Sequence, residues 1–289
     1  MPARVWKALV GLVVLLLIAV IGLDQWQARR GEPSLFGLSW PARRSITPVP
    51  LAQPRRLSAG ERTVPAAAAG PRVAIIVDGV GSRRDVFELL RDLRRPVAVA
   101  VLPSLPLSQS IAREASRAGM EVLLDLPMEP YRYPALDPGP GALLMSMPPG
   151  ELQRRVAEYL EALPVAVGVT NHMGSRMTED RARMRAVLEV LAARRLFLVD
   201  AYASSLSVAY DEAKHVGLRA ARRQIMIDHA RGETGDRAKW EEVPAWAERR
   251  GEVVVMAHDH PLTLQLLREY LPRWEARGLR LVPVSQLAR

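Results

Sequence analysis

From residue 72 onward the chain alternates between short, almost wholly apolar runs and longer amphipathic stretches. The apolar runs fall at 73–77, 97–102, 121–126, 165–170, 196–200, 225–228, 252–258 and 281–284. They are rich in Val, Ile and Leu and lack an apolar/polar alternation, the pattern of strands covered on both faces in a parallel sheet. Helical periodicity fills the gaps at 83–94, 107–118, 150–162, 178–195, 205–216, 236–250 and 261–277. Ser82 with Asp85 resembles a capping box, and Thr178 with Glu179 and Asp180 predicts another helix start. Pro261 opens the last helix and Gly278 ends it. Seven or eight β/α units in about 215 residues predict an α/β fold, a distorted (β/α) barrel of about seven strands, complete or lacking a strand. A doubly wound open sheet is the alternative. No G-x-G-x-x-G follows the first strand, where the chain reads Asp78-Gly79-Val80-Gly81, which argues against a dinucleotide site.

Upstream of this domain (72–289) the pattern is different. Residues 8–23 form an unbroken apolar run near the lower limit of about 17 residues for a membrane span. The exit from the run lacks a small-x-small cleavage site, so residues 1–23 are expected to be an uncleaved transmembrane signal anchor. The short basic N-terminus predicts a single-pass protein of the inner (cytoplasmic) membrane with its domain facing the periplasm or exterior. Residues 24–71 contain seven prolines and arginine pairs at 29–30, 43–44 and 55–56, the composition of a disordered tether.

Charge and cysteine usage narrow the function. Net charge is +9, but residues 1–71 hold nine Lys/Arg against three Asp/Glu, leaving +3 on the remaining 218 residues. The domain has no RNA-binding aromatic motif, zinc finger or helix-turn-helix pattern, so nucleic acid is not expected as a partner. With no cysteine, thiolate chemistry and disulfides are excluded, and a metal must be held by His, Asp or Glu.

The candidate chemistry lies at the ends of the apolar runs. Asp78, Asp125, His172, Asp200, Asp228 and the pair His258/His260 each sit at, or just past, the end of one. In β/α folds these ends share one face, where α/β barrels place their chemistry. A group of His and carboxylates there suits Zn²⁺ or a similar divalent ion. Glu129, four residues after Asp125, either faces the same site or is a solvated loop acid. Asn171, Arg176, Asp200 and Asp228 are candidates for contacting substrate. The irregular stretch 127–149, with seven prolines in 23 residues, has the character of a functional loop.

Five motifs stand in order: Ile75-Ile76-Val77-Asp78-Gly79-Val80-Gly81, Leu126-Pro127-Met128-Glu129-Pro130, Pro138-Gly139-Pro140-Gly141-Ala142-Leu143, Asn171-His172-Met173-Gly174-Ser175 and His258-Asp259-His260-Pro261. Together they resemble the divergent polysaccharide deacetylases of bacteria, over about residues 72–287. The resemblance implies a distorted β/α barrel and an envelope protein of the carbohydrate esterase superfamily, hydrolysing N-acetyl groups of envelope glycan with a metal. It implies Asp78 as general base, His258 or His260 as general acid, and Asp125, Glu129 and His172 around a metal. The chain departs from the family at Gly79, where a second aspartate is usual, and at Asp125, where a His is usual. Those departures motivate two alternatives. One is a member that binds glycan or an envelope protein partner without hydrolysis. The other is a metal-independent hydrolase whose activity survives chelation and is lost on Asp78→Asn.

Overall fold

A computed structural model of the protein describes residues 70–228 and 233–289. The expected signal anchor, nearly all of the expected tether and His229 lie outside them. Among the described residues no helix is long and apolar enough to cross a membrane.

The strands are β1 (Arg72–Val80), β2 (Val97–Val101), β3 (Val122–Met128), β4 (Gly168–Met173), β5 (Phe197–Asp200), β6 (Ala220–Arg222), β7 (Ile225–Met226), β8 (Glu252–His258) and β9 (Arg280–Leu281). Between them run α1 (Arg84–Asp92), α2 (Ser108–Arg117), α3 (Pro149–Ala162), α4 (Arg181–Ala193), α5 (Ala209–His215), α6 (Glu233–Arg250) and α7 (Pro261–Ala276). All strand pairs are parallel, in the order β6-β5-β4-β3-β2-β1-β8-β7, with β9 added beside β1. The architecture is an α/β curled parallel half-barrel of eight strands.

Its closure was not visible in the hydropathy pattern. The two edge strands, β6 and β7, are consecutive in the chain, joined by Arg223 and Gln224. The Arg223 N–H donates to the Asp200 carbonyl of β5 (2.9 Å), and the next N–H, of Gln224, donates to the Val254 carbonyl of β8 (3.0 Å). One segment therefore changes partner between adjacent residues and draws the edges together. The Gln224 side chain stitches the changeover, accepting from the Val254 N–H (2.7 Å) and donating to the Arg222 carbonyl (2.5 Å). The hydropathy pattern marks one run at 225–228 and none at 220–222, so eight runs stand where nine strands form among the described residues.

Alternate strand residues point into the curl or out to the helices. The inner side is filled by small and medium residues, among them Ala74, Ile76, Ala98, Ala100, Leu123, Val199, Ala221, Val254 and Met256. The C-terminal residues Val282, Val284, Leu287 and Ala288 plug its lower end. Larger aliphatic side chains fill the outer layer against the helices. There Trp240 of α6 stacks on Tyr270 and Trp274 of α7, with ring centroids 5.4 and 5.3 Å away. The interior leaves no spare room at Gly168, where an added Cβ would lie 2.7 Å from the Phe197 ring. Gly168→Ala is therefore expected to cost about 1–3 kcal/mol by overpacking, read as a lower midpoint in thermal unfolding.

Local boundaries moved where tertiary contacts outweighed propensity. β4 begins three residues later than its apolar run, at Gly168. Ser82 does not cap: the residue before α1 is Arg83, with no side-chain cap bond. Thr178 lies in a short 3₁₀ helix, Met177–Glu179, and the cap of α4 is Asp180, which accepts from the Arg183 N–H at 2.8 Å.

Candidate acid–base site

The upper end of the curl, at the C-terminal ends of the strands, carries the polar side chains. β1 enters this end through an irregularity: its register against β2 shifts between Val77 and Val80. Gly79, at φ +72°, occupies that bulge in a left-handed conformation that a side chain disfavours. Its N–H donates to Asp125 Oδ2 at 3.0 Å. Asp78 is thereby left buried, with its carboxylate turned toward β8.

Asp78 and His258 face each other, with His258 Nε2 4.0 Å from Asp78 Oδ1. This separation is one that a single oxygen could bridge with hydrogen bonds of about 2.8 Å to each atom. Behind the imidazole, His258 Nδ1 is 2.8 Å from Asp228 Oδ1. Asp228 Oδ2 accepts from the His258 N–H (2.7 Å) and from Thr263 Oγ1 (2.9 Å). These bonds orient the ring and leave Nε2 pointing at Asp78. On the other flank His172 Nδ1 lies 3.4 Å from Asp125 Oδ2. Asp78 Oδ1 and Asp125 Oδ1 are buried with no hydrogen-bond partner in the protein, so both are free for a group that enters the site.

This arrangement separates the proton affinities. Burial, reinforced by the Asp125 charge, pushes the Asp78 carboxyl up to about 7. The hydrogen bond that His258 donates to Asp228, with Asp78 and Asp125 adding charge, raises His258 to about 9. For Asp228 burial acts upward, but the bond and charge of His258 hold it below the ordinary carboxylate range. His172 is lowered by burial and raised more by Asp125, ending above the ordinary imidazole value. Just above neutral pH the centre thus holds an ionised carboxylate opposite an imidazolium, a base and an acid across one gap.

The other expected site residues do not join this pair. Glu129 turns away, bound by Arg176 Nη1 at 2.7 Å and by the Met145 N–H at 2.8 Å. Its partner Arg176 makes that contact through Nη1 and is otherwise half exposed. His260 sits outside the gap, where Nδ1 accepts from the Leu262 N–H at the start of α7 (3.3 Å). Asn171 ties β4 to the segment after β5, donating to the Met173 carbonyl (2.8 Å) and accepting from the Ala201 N–H (2.9 Å). Asp200 is buried and shapes the same segment, accepting from the Tyr202 N–H (2.8 Å) and Ser207 Oγ (3.0 Å).

The expected divalent metal does not fit these positions. Among the described residues no group of three or more His, Asp or Glu side chains is placed to hold one. Gly79 has no side chain to ligate a metal, and Glu129 is held elsewhere.

Two residues of the site escaped the sequence reading. Asp259 follows His258, and its N–H donates to the Asp78 carbonyl (3.0 Å). Its carboxylate stands over Gly79, with Oδ1 3.6 Å from where a Cβ there would be, and burial raises it to about 6. Arg223, in the closing segment, donates to the Ala201 and Tyr202 carbonyls, and its charge acts on Asp78 and Asp200. The adjacent His258-Asp259-His260 triplet was a usable signal for the first; no pattern marked the second.

Residues 75–288 match the model of a family described as divergent polysaccharide deacetylase. The chain is 29% identical over 198 residues to the uncharacterized protein YibQ of Escherichia coli, covering 68% of this chain and 61% of that relative. It thus spans about three-fifths of that protein's length. An uncharacterized protein of Haemophilus influenzae is 27% identical over 218 residues, covering 75% of this chain and 77% of its own. Among solved structures, the uncharacterized protein ATU2773 of Agrobacterium tumefaciens superposes with a TM-score of 0.72 at 26% identity, covering 76% of this chain and 89% of that one.

Proposed function

This chain belongs to the divergent polysaccharide deacetylase family, and from that membership and its acid–base pair we propose that it hydrolyses N-acetyl groups on envelope glycan. The observation that carries the reading is the buried Asp78 carboxylate facing a His258 imidazole that Asp228 orients from behind. Asp78 takes a proton from water as the water oxygen attacks the acetyl carbonyl carbon. His258 gives its Nε2 proton to the departing nitrogen as the C–N bond breaks. The products are acetate and the free amino sugar. His172, 3.4 Å from Asp125 and with its proton affinity raised by it, stabilises negative charge on the carbonyl oxygen when it carries its second proton. No step is assigned to a metal. In this reading residues 1–23 anchor the protein in the inner membrane, with the domain facing the periplasm or exterior.

The test is acetate release from N-acetylglucosamine oligomers and peptidoglycan fragments by the full-length protein, before and after chelation. Release that survives chelation, and is not raised by zinc, cobalt or manganese, is the expected result. Dependence on an added metal would overturn the assignment to side chains alone. A second reading is favoured by Gly79 and Asp125, which stand paired where the family usually has an aspartate and a histidine. It is a member that binds glycan or an envelope protein without hydrolysis, and it predicts binding with no acetate release under any of these conditions.

A further inference from the structure

Five large apolar side chains stand out as exposed among the described residues: Tyr131, Tyr133, Leu136, Val167 and Leu206. Four of them lie on loops leaving the upper ends of β3 and β5, the end of the sheet that carries the acid–base site; Val167 alone lies just before β4. Chance exposure would scatter them over the surface.

Tyr131 is held in an unusual way. It is 57% exposed, and its hydroxyl is nevertheless bonded within the protein. The hydroxyl donates to Glu179, in the 3₁₀ helix after β4. Glu179 also accepts from Ser204 Oγ, in the segment after β5. Ser204 Oγ in turn accepts from the Leu206 N–H at 3.1 Å. The Tyr131 N–H is fixed by Ser175 Oγ at 3.1 Å. Hydrogen bonds from Ser204 and Tyr131 hold the Glu179 carboxylate below its ordinary range, so it remains an acceptor. Three adjacent strand-end loops are thus tied to one carboxylate. An exposed tyrosine ordinarily turns its polar tip outward. Here the tip is tied to Glu179, which fixes where the ring stands. A ring presented in this way at the rim of a site, with Leu206 on the same network, offers a flat apolar face at little further entropic cost.

We infer that Tyr131, with Leu206, forms a saccharide-stacking subsite that takes a sugar ring neighbouring the one whose acetyl group reaches Asp78 and His258. The C–H face of a pyranose is flat and weakly positive, and it complements the negative face of an aromatic ring. The inference rests on the glycan reading of the site, which makes a chain of linked sugars the occupant of this rim. Tyr133 and Leu136, on the same loop as Tyr131, extend the apolar surface.

The test is equilibrium binding to the full-length protein of N-acetylglucosamine oligomers of one, two and four sugars, by calorimetry. Wild type is expected to bind the longer oligomers more tightly. Tyr131→Ala and Leu206→Ser are expected to weaken the tetramer, the tyrosine change by about tenfold, with the single sugar unaffected. Tyr131→Phe, which keeps the ring, is expected to retain most of the gain. Tetramer binding unchanged in Tyr131→Ala overturns the subsite while leaving the glycan reading intact. Absence of binding by any oligomer overturns both, and capture of an apolar peptide instead assigns the rim to a protein partner. Thermal unfolding of each variant confirms that the fold is kept.

Discussion

Replacement of Asp78 by Asn is expected to lower the rate of acetate release by about 10²–10⁴-fold, the usual contribution of a positioned general base. The substitution changes almost no volume, and Asn cannot accept the proton that the attacking water must lose. The fold should survive. The folded carboxyl binds its proton up to about pH 7, against an ordinary value of 3.8 in the unfolded chain. Between those values the unfolded chain has released a proton that the native state keeps, so this group's contribution makes stability fall as pH rises. Above pH 7 wild type carries a buried, ionised carboxylate, and Asp78→Asn removes that burden. The variant should therefore be at least as stable as wild type at pH 8, and the difference should shrink toward pH 4. Acetate release at pH 8, paired with thermal unfolding at both pH values, checks both parts. A variant that is fully active would remove Asp78 from the mechanism, whatever its stability.

The second large effect concerns the charge behind His258. In wild type kcat/KM should rise with pH as Asp78 ionises near 7 and fall as His258 loses its proton near 9. The working window lies between these values, and its limits are properties of the interacting pair. Asp228→Asn removes the carboxylate that does most to raise His258. The alkaline limb should then move down toward 6.5, the ordinary imidazole value. The state with Asp78 ionised and His258 protonated becomes a minor one, and the maximum rate should fall by about tenfold or more. Linkage gives a matching stability effect. His258 contributes stability that is complete below 6.5 and is lost as pH rises through about 9. Asp228→Asn should flatten that part of the stability curve. An alkaline limb that stays in place in Asp228→Asn would mean that His258 is not the acid.

Several parts of this centre were legible along the chain because they obey local rules. Asp78, Asp125, His172 and His258 each end an apolar run, and a parallel strand delivers such residues to one end of a curled sheet. Asp228 was legible as a position but not as a role. Its bond to His258 spans 30 residues and depends on β7 lying beside β8. Glu129 shows the opposite failure. Its spacing from Asp125 allowed it into the site, but Arg176 and the Met145 N–H offered better partners. His260 was drawn in by its neighbour His258, yet strand geometry places only one of the two at the gap.

Local chemistry along the chain was enough to set the α/β class, the parallel strands and the shared edge on which acids and histidines gather, because burial pattern and strand direction are local properties. Only the family resemblance, and no local rule, implies that Gly79 and Asp125 stand where ligands of another type are usual. Only the tertiary structure decided how the sheet closes, since the partner change between Arg223 and Gln224 is a matter of which distant carbonyl lies within 3.0 Å. The tertiary structure also turned Asp125 onto the Gly79 N–H, set His258 between Asp78 and Asp228, and placed the Tyr131 hydroxyl on Glu179. Proton affinities and hydrogen-bond partners depend on burial and on separations of a few ångströms between residues far apart in the chain, and no local pattern encodes those distances.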